Sequence, residues 1–575
     1  KDNPYDEVAL RGIAKAYLRV GQVSAAQRYL ERIVASYEDT AQELANLGVL
    51  HLEQGHHALA RTCLNASLEK RPDYASAWNN LGRVQYKDGD LAGAELSLRT
   101  AVRWKPNLAA AHFNLADTLL DVGSLEEADR SYRKGMELNP KKREAYINRG
   151  SVLRQLGHVR QAEALFRKGL RYFPGDAGLE NNLALAWLVQ RRTADATDLM
   201  GQCVQKVPDW PSAWVNWAQI LKVGGRTREA KEAYYKAIEL APDMSAAYWG
   251  LENLLIRSGQ FDEIYPIIHW GYIGGHKDPV RRFDKPFWDG LSGQGRRVLV
   301  WADQGIGDEV MYGAFLGEAH RRVELKVECR WRMEAPLKRA FPEVPIEACD
   351  HAPAYEEIGE RGFTHHLPFG ELPYVLYGGP EDIPEDCTYF APDVDKKVKW
   401  GNYICETYGQ DRLKVGITWS SGREIKKLYD TFFSSRLERF LPILRTDGVV
   451  FFNLMYHEVE PDLDLLRAHY EIDVQAFPDL DVKNDIDELT AATSALDLVI
   501  SVETFPSMHA AAIGVETWML SYAKASYLLD RREQHPWFPA MKIFELEEPK
   551  DEEAERVAIN RVAAELTKKS AQRKR

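Results

Sequence analysis

Two rhythms of apolar residues divide this chain. From residue 7 to about 244 the apolar positions fall at helical spacing in paired short segments, and the pairs recur every 34 residues. Large apolar side chains stand at 30, 64, 98, 132, 166, 200 and 234, alanines at 26, 60, 94, 128, 162, 196 and 230, and prolines at 72, 106, 140, 174, 208 and 242. Glycine occupies 21, 55, 89, 123, 157 and 225, with Arg191 in its place once. A small residue early in one helix, glycine between two helices, alanine where they cross and proline after the second predict a stack of helix pairs, closed by a further helix near 245 to 270. From residue 298 the rhythm changes to short apolar runs alternating with helical segments. The runs predict strands at 298–302, 324–329, 413–419, 449–456, 496–502 and 517–522, and the segments predict helices at 308–321, 334–340, 434–445, 462–469, 485–495 and 506–513. That alternation predicts parallel sheets, two of them, separated by the proline-bearing stretch 380–412; residues 271–297, rich in Gly, Pro and charge, read as a linker docking onto the domain that follows.

The 34-residue pattern resembles the tetratricopeptide repeat, as seven repeats with a superhelical groove on the concave side. Asn46, Asn80, Asn114, Asn148, Asn182 and Asn216 share the repeat interval, two residues before the small residue of the first helix, a position that lines the groove in this fold. A side-chain amide offers a donor and an acceptor together and pairs with a peptide backbone of any sequence. The ladder resembles that of the eukaryotic O-linked N-acetylglucosamine transferase, whose repeats hold acceptor polypeptides. A second reading stays open, in which the asparagines bond neighbouring repeats and fix the stacking. Trp78, Tyr146, Trp214 and Tyr248 share another register and read as packing between helices.

Composition narrows the class. The 575 residues predict two to four domains, and a net charge of −12 with pI near 5.8 argues against a general nucleic-acid or anionic-membrane binder. No apolar run approaches a membrane span, the first residues do not form a secretory signal, and the six cysteines contain no CxxC pair, so a cytoplasmic protein with reduced thiols is expected.

Candidate chemistry lies in the second half. In VLVWADQGIGDEVMY, 298 to 312, a buried strand meets two glycines and then the acids Asp308 and Glu309. Carboxyl ends of strands are where open α/β sheets act on ligands. DQGIGDEV resembles the amino-terminal turn of the heptosyltransferase family, which implies two Rossmann-like lobes in a GT-B glycosyltransferase, with Asp308 as catalytic base and Glu309 as a substitute. Asp308 as a helix N-cap is the structural alternative. In VGITWSSGREIKK, 415 to 427, the hydroxyls and backbone amides of Ser420, Ser421 and Gly422, with Arg423, Lys426 and Lys427, are suited to phosphate. With Trp419 this stretch resembles the family's donor-phosphate loop, beside the alternative of a solvated basic loop. LDLVISVETFPSMHAAAIGVETWML, 496 to 520, resembles the segment that ends a strand in an acid and Thr and carries a helical His. The resemblance places Glu503 on a donor ribose and Thr504, Ser507 and the helix start on phosphate, with His509 in the helix; Glu-Thr-Phe-Pro departs here from the usual Asp-Thr-Gly.

The pairs Asp393/Asp395, Asp462/Asp464 and Asp479/Asp481 match a metal-binding Asp-x-Asp by chance in an acid-rich chain, and His365-His366 has no spaced partner, so no metal and no further cofactor are expected. The aromatics of HPWFPAMKI, 535 to 543, read as core or cleft wall. The domain plan is 1–270 repeats, 271–297 linker, 298–390 acceptor-side lobe and 391–575 nucleotide-sugar lobe. It resembles the bacterial flagellin glycosyltransferases. The resemblance implies transfer of a nonulosonic acid of the pseudaminic acid type from a CMP-linked donor to Ser or Thr of flagellin, or of another acceptor protein, held in the groove. A transferase acting on lipopolysaccharide or another glycan, and a non-catalytic adaptor, are the alternatives.

Overall fold

The computed structural model describes residues 4–573 apart from 278–280, 304, 350–354, 421–435, 458, 523–532 and 547–551. Seven helix pairs run from Pro4–Arg19 and Val23–Ser36 to Pro211–Val223 and Thr227–Leu240, followed by the single helix Ser245–Ser258. Where the small residue of the first helix is glycine, the partner helix comes too close for a side chain. A methyl added at Gly48 would lie 2.6 Å from Leu64, at Gly82 2.6 Å from Leu98 and at Gly150 2.1 Å from Phe166. The repeat alanines at 60, 94, 128, 162 and 196 are fully buried at the same crossings.

The inter-helix glycines all adopt positive φ, from 71° at Gly21 to 85° at Gly123, and the exception follows them: Arg191 stands at φ 61°. A side chain in this left-handed region is strained, and only glycine enters it freely. Arg191→Gly is therefore expected to stabilise its helix pair by about 0.5–1 kcal/mol, whereas Gly157→Ala destabilises by about 1 kcal/mol; urea denaturation of the two variants checks the opposite signs.

The aromatic register has a specific task. The ring N–H or hydroxyl of Trp78, Tyr146, Trp214 and Tyr248 donates to the carbonyl of the proline six residues earlier, at 2.8, 2.9, 2.8 and 3.1 Å, and His112 Nε2 does the same to Pro106 at 2.8 Å. Each ties a turn to the helix that follows it. Residue 180 of the same register is a glutamate, bonded instead to Lys206 at 2.6 Å.

The chain forms two compact units, Lys1–Gly225 and Arg226–Arg575. The second holds the last helices and two parallel sheets. One has the order β4-β3-β2-β6, from strands β2 Arg297–Trp301, β3 Glu324–Cys329, β4 Ile346–Ala348 and β6 His365–Pro368; the other has the order β11-β10-β9-β7-β8, from β7 Leu413–Ile417, β8 Val449–Asn453, β9 Leu498–Val502, β10 Thr517–Tyr522 and β11 Met541–Leu546. Two further short strands, β1 Arg282–Phe283 and β5 Tyr355–Glu356, pair with each other. The second sheet buries Val415, Ile417, Leu498, Ile500 and Leu520 under the helix Glu552–Arg573, which contributes Ile559, Val562 and Leu566.

Several elements differ from expectation. The stretch 380–412 contains a helix, Val394–Tyr408, capped by the Asp393 carboxylate on Lys396 N–H at 3.1 Å. The helix expected at 308–321 is two, Ile306–Gly313 and Leu316–Arg322, interrupted where Gly313 lies so close to Tyr389 that a methyl would sit 2.6 Å from its hydroxyl. Strands β1, β4, β5, β6 and β11 are additional; two to four residues are too few to carry a readable alternation in the first four. The linker docks through buried charge. Arg281 reaches Glu328 and Glu356, each at 3.0 Å, and Lys277 reaches Glu252 at 2.6 Å and also Glu371. Among the described residues no helix is long and apolar enough to cross a membrane.

Candidate functional site

In an open parallel sheet the ligand crevice opens at the carboxyl ends of the two strands between which the chain reverses its direction of winding. In the second sheet those strands are β7 and β9; in the first they are β2 and β6. The sequence candidates of the second half gather at these edges. Trp419 and Ser420 follow β7, Glu503 and Thr504 follow β9, and between them Thr418 and Ser501 share a buried hydroxyl bond of 2.6 Å. The turn after β2 leads into the helix Ile306–Gly313 and lies against the start of the helix Phe505–Ile513: a methyl at Gly307 would be 3.6 Å from Phe505 Cα. Tyr389 straps the two together, its hydroxyl donating to Val310 O at 2.7 Å and its amide to Ala512 O at 3.0 Å. Buried Trp537 packs on Tyr312 and Phe315, ring centroids 5.5 and 5.4 Å apart, so this aromatic belongs to the core.

Asp308 is half-buried at the third position of its helix, so it is not the N-cap; its carboxylate reaches back to accept from Gly305 N–H at 2.8 Å. Glu309 points the other way. It is fully buried, accepts from Arg330 N–H at 3.0 Å and pairs with the Arg330 guanidinium; burial pushes its carboxyl up to about 7 against the pull of that arginine. This fixed pair withdraws Glu309 from the role of substitute base.

On the donor side, Trp419 is buried and its indole donates to Asp462 at 3.1 Å, while Ser420 lies half-exposed with its hydroxyl 3.3 Å from His457 Nε2. Ser421, Gly422, Arg423 and Lys426 lie outside the described residues. Thr504 caps the helix Phe505–Ile513 in an extended conformation and stays half-exposed. Two expectations need correction. Ser507 is fully buried and spends its hydroxyl on Thr504 O, at 2.7 Å, as part of the helix start. His509 lies in the core, stacked on Phe505 at 5.1 Å with Nε2 2.8 Å from the Thr490 hydroxyl, and burial drives it down to about 3, a neutral packing residue rather than a donor contact. Glu503 is buried and accepts from the Ser521 hydroxyl of β10.

All six ladder asparagines lie half-buried on the first helices of their pairs. Asn114, Asn148 and Asn216 donate to Asn79, Asp117 and Asn181 of the preceding pair at 2.8, 3.0 and 2.8 Å, and Asn182 donates to Gly178 O at 2.8 Å. Asn80 accepts from Asn79 at 3.2 Å and Asn46 has no side-chain bond among the described residues. Stacking thus consumes amide N–H groups, while the side-chain carbonyls of Asn114, Asn182 and Asn216 have no partner among the described residues. Asn114 also lines a cavity of about 540 Å³ with Arg83, Tyr86, Lys87, Asp117 and Thr118.

Sequence reasoning missed Asp303, which lies in the quoted turn, and the charges that surround it. Asp303 accepts from the Tyr272 hydroxyl at 2.9 Å and Gly370 N–H at 3.3 Å. Its place directly after a core strand was the available signal; its partners come from far along the chain and left none.

Comparison with known proteins supports the repeats. The tetratricopeptide repeat family matches residues 11–61, 45–109 and 147–200 in one description and 109–142 and 211–244 in another. A curated relative, Protein FlbA of Caulobacter vibrioides, is 25% identical over 429 residues, covering 65% of this chain and 70% of its own. Among solved structures, a tetratricopeptide repeat protein of Parabacteroides merdae is 15% identical over 43% of this chain and 98% of its own with a TM-score of 0.35. YrrB, described as a TPR protein with an unusual peptide-binding site, is 16% identical over 32% of this chain and 95% of its own with a TM-score of 0.28. The chain carries tetratricopeptide repeats followed by an α/β region of parallel sheets.

Proposed function

We propose that the chain is a GT-B glycosyltransferase acting on protein. A nucleotide sugar lies between the two sheets, the ladder holds the acceptor polypeptide, and a Ser or Thr hydroxyl attacks the anomeric carbon as Asp308 takes its proton. The 420–426 segment and the start of the helix Phe505–Ile513 stabilise the departing nucleotide phosphate. Following the flagellin glycosyltransferase resemblance, the acceptor is flagellin and the donor a CMP-linked nonulosonic acid. The observation that carries the reading is the meeting of two switch-point turns from separate parallel sheets, Gly307 against Phe505, with a half-exposed carboxylate on one and a half-exposed helix cap on the other.

One observation favours a non-catalytic adaptor instead: Glu503, Ser507 and His509 all have side-chain bonds inside the protein. Calorimetric titration with CMP, UDP and ADP separates the two. Binding of CMP at about 10⁻⁴ M or tighter, with UDP and ADP at least tenfold weaker, is expected; absence of heat with all three nucleotides sinks the transferase reading.

A further inference from the structure

The crevice of the first sheet, between the ends of β2 and β6, is filled by the chain itself. Tyr272 and Lys277 enter it and meet three acids, Glu252 of the helix Ser245–Ser258, Asp303 after β2 and Glu371 after β6, all five residues being buried. The Lys277 ammonium reaches Glu252 Oε1 at 2.6 Å and also Glu371 Oε1, and lies over the rings of Trp249 and Tyr272 at 5.5 and 4.9 Å. The Tyr272 hydroxyl bonds Asp303 at 2.9 Å and Glu371 at 3.3 Å. Tyr312 and Tyr374, both phenols, complete the titratable groups facing Glu371.

One ammonium does not balance three carboxylates. Oε2 of Glu252 and Oε2 of Glu371 are buried without a hydrogen-bond partner among the described residues. A low-dielectric site resolves such an excess by keeping a proton, because an unpaired buried carboxylate has lost its hydration and gained nothing in return. Burial lifts Glu371 to about 8, with Glu252 and Asp303 adding to the lift against the pull of Lys277. Burial raises Glu252 and Asp303 as well.

We propose that Glu371 keeps its proton at neutral pH and is a positioning residue: protonated, it lets Lys277 and Tyr272 tie the helix Ser245–Ser258 to Asp303, the foot of the turn that carries Asp308, and on losing the proton it releases that turn. The inference rests on the transferase reading only in taking the turn to be catalytic. Its folded value lies above the ordinary carboxylate value, so the tie is complete at acid pH and is lost as pH rises through about 8.

The test is amide hydrogen exchange of the full chain at about pH 6.5 and about pH 9.5, corrected for intrinsic exchange. In the wild type, protection of the helices Ser245–Ser258 and Ile306–Gly313 is expected to fall at least about tenfold at the higher pH; in Glu371→Gln, which mimics the protonated acid, protection of Ser245–Ser258 stays constant and Ile306–Gly313 keeps only the smaller fall that buried Glu309 causes. Infrared spectra at neutral pH should show a protonated-carboxyl band that Glu371→Gln weakens by one carboxyl. Lys277→Met should lower protection at both pH values; if that variant does not fold, Glu371→Gln still decides. Equal protection of the wild type at both pH values, or the same fall in Glu371→Gln, overturns the proposal. None of these readouts requires transfer, so failure of the transferase reading leaves them intact and is recognised separately by the nucleotide titration.

Discussion

Asp308→Asn is expected to lower the rate of transfer to the acceptor by about 10²- to 10⁴-fold while nucleotide affinity stays within about threefold of the wild type. The substitution is chosen for the geometry of the turn. The Asp308 carboxylate accepts from Gly305 N–H at 2.8 Å, and truncation to alanine would remove that bond and cost about 1 kcal/mol at the helix start, confusing chemistry with folding. An asparagine keeps an acceptor oxygen for Gly305 and loses only the capacity to take a proton. Intact-mass analysis of purified flagellin incubated with enzyme and CMP-linked donor measures the rate, and calorimetry measures the affinity. A rate within about threefold of the wild type would remove Asp308 from the base role and leave it a helix-start residue.

The second large effect concerns the residue beside it. Arg330→Met leaves Glu309, fully buried, without its cation, and removal of one partner from a buried pair costs about 3–5 kcal/mol. The guanidinium is about a quarter exposed, 27%, so the lower end, about 3 kcal/mol, is expected. Glu309 already stands raised to about 7, above the ordinary value, so the helix Ile306–Gly313 is most secure at acid pH and loses that increment as pH rises through 7. Hydrogen exchange of this helix in Arg330→Met should therefore accelerate about 100-fold at alkaline pH and much less at acid pH. Adding Glu309→Gln removes the buried charge and should restore most of the protection. Unchanged exchange in the single variant would show that the pair contributes nothing to the turn.

What could be read from the sequence follows the range over which each feature is determined. The repeats were legible because the close approach at Gly48, Gly82 and Gly150 and the left-handed turns at Gly21 to Gly157 recur at one interval, and each position answers to a local steric demand. Strands β3 and β10 were legible to the residue, β3 because Leu325, Val327 and Cys329 alternate with charged residues and β10 because it holds the apolar run Trp518, Met519 and Leu520. At the site, the turn carrying Asp308 and the cap at Thr504 could be placed, since both are strand-to-helix transitions with their own local signals. The fates of His509 and Glu309 could not. Whether a histidine faces a cleft or a threonine 19 residues away, and whether an acid meets solvent or Arg330, are decided by packing between distant segments. Periodicity carries no trace of such pairings.

The pairing of Glu252 with Lys277 also bears on how the protein can be divided. By sequence the repeats end near residue 270, yet the helix Ser245–Ser258 carries a fully buried acid paired with a cation, Lys277, that comes later in the chain. A fragment cut at 270 would keep the glutamate and discard the lysine, turning the inner face of its last helix into an exposed seam with a stranded charge. Solenoid arrays need a terminal element with a water-compatible outer face. Here the helix Ser245–Ser258 finds its cover in the residues that follow it, so a stable fragment that includes this helix has to extend past Lys277.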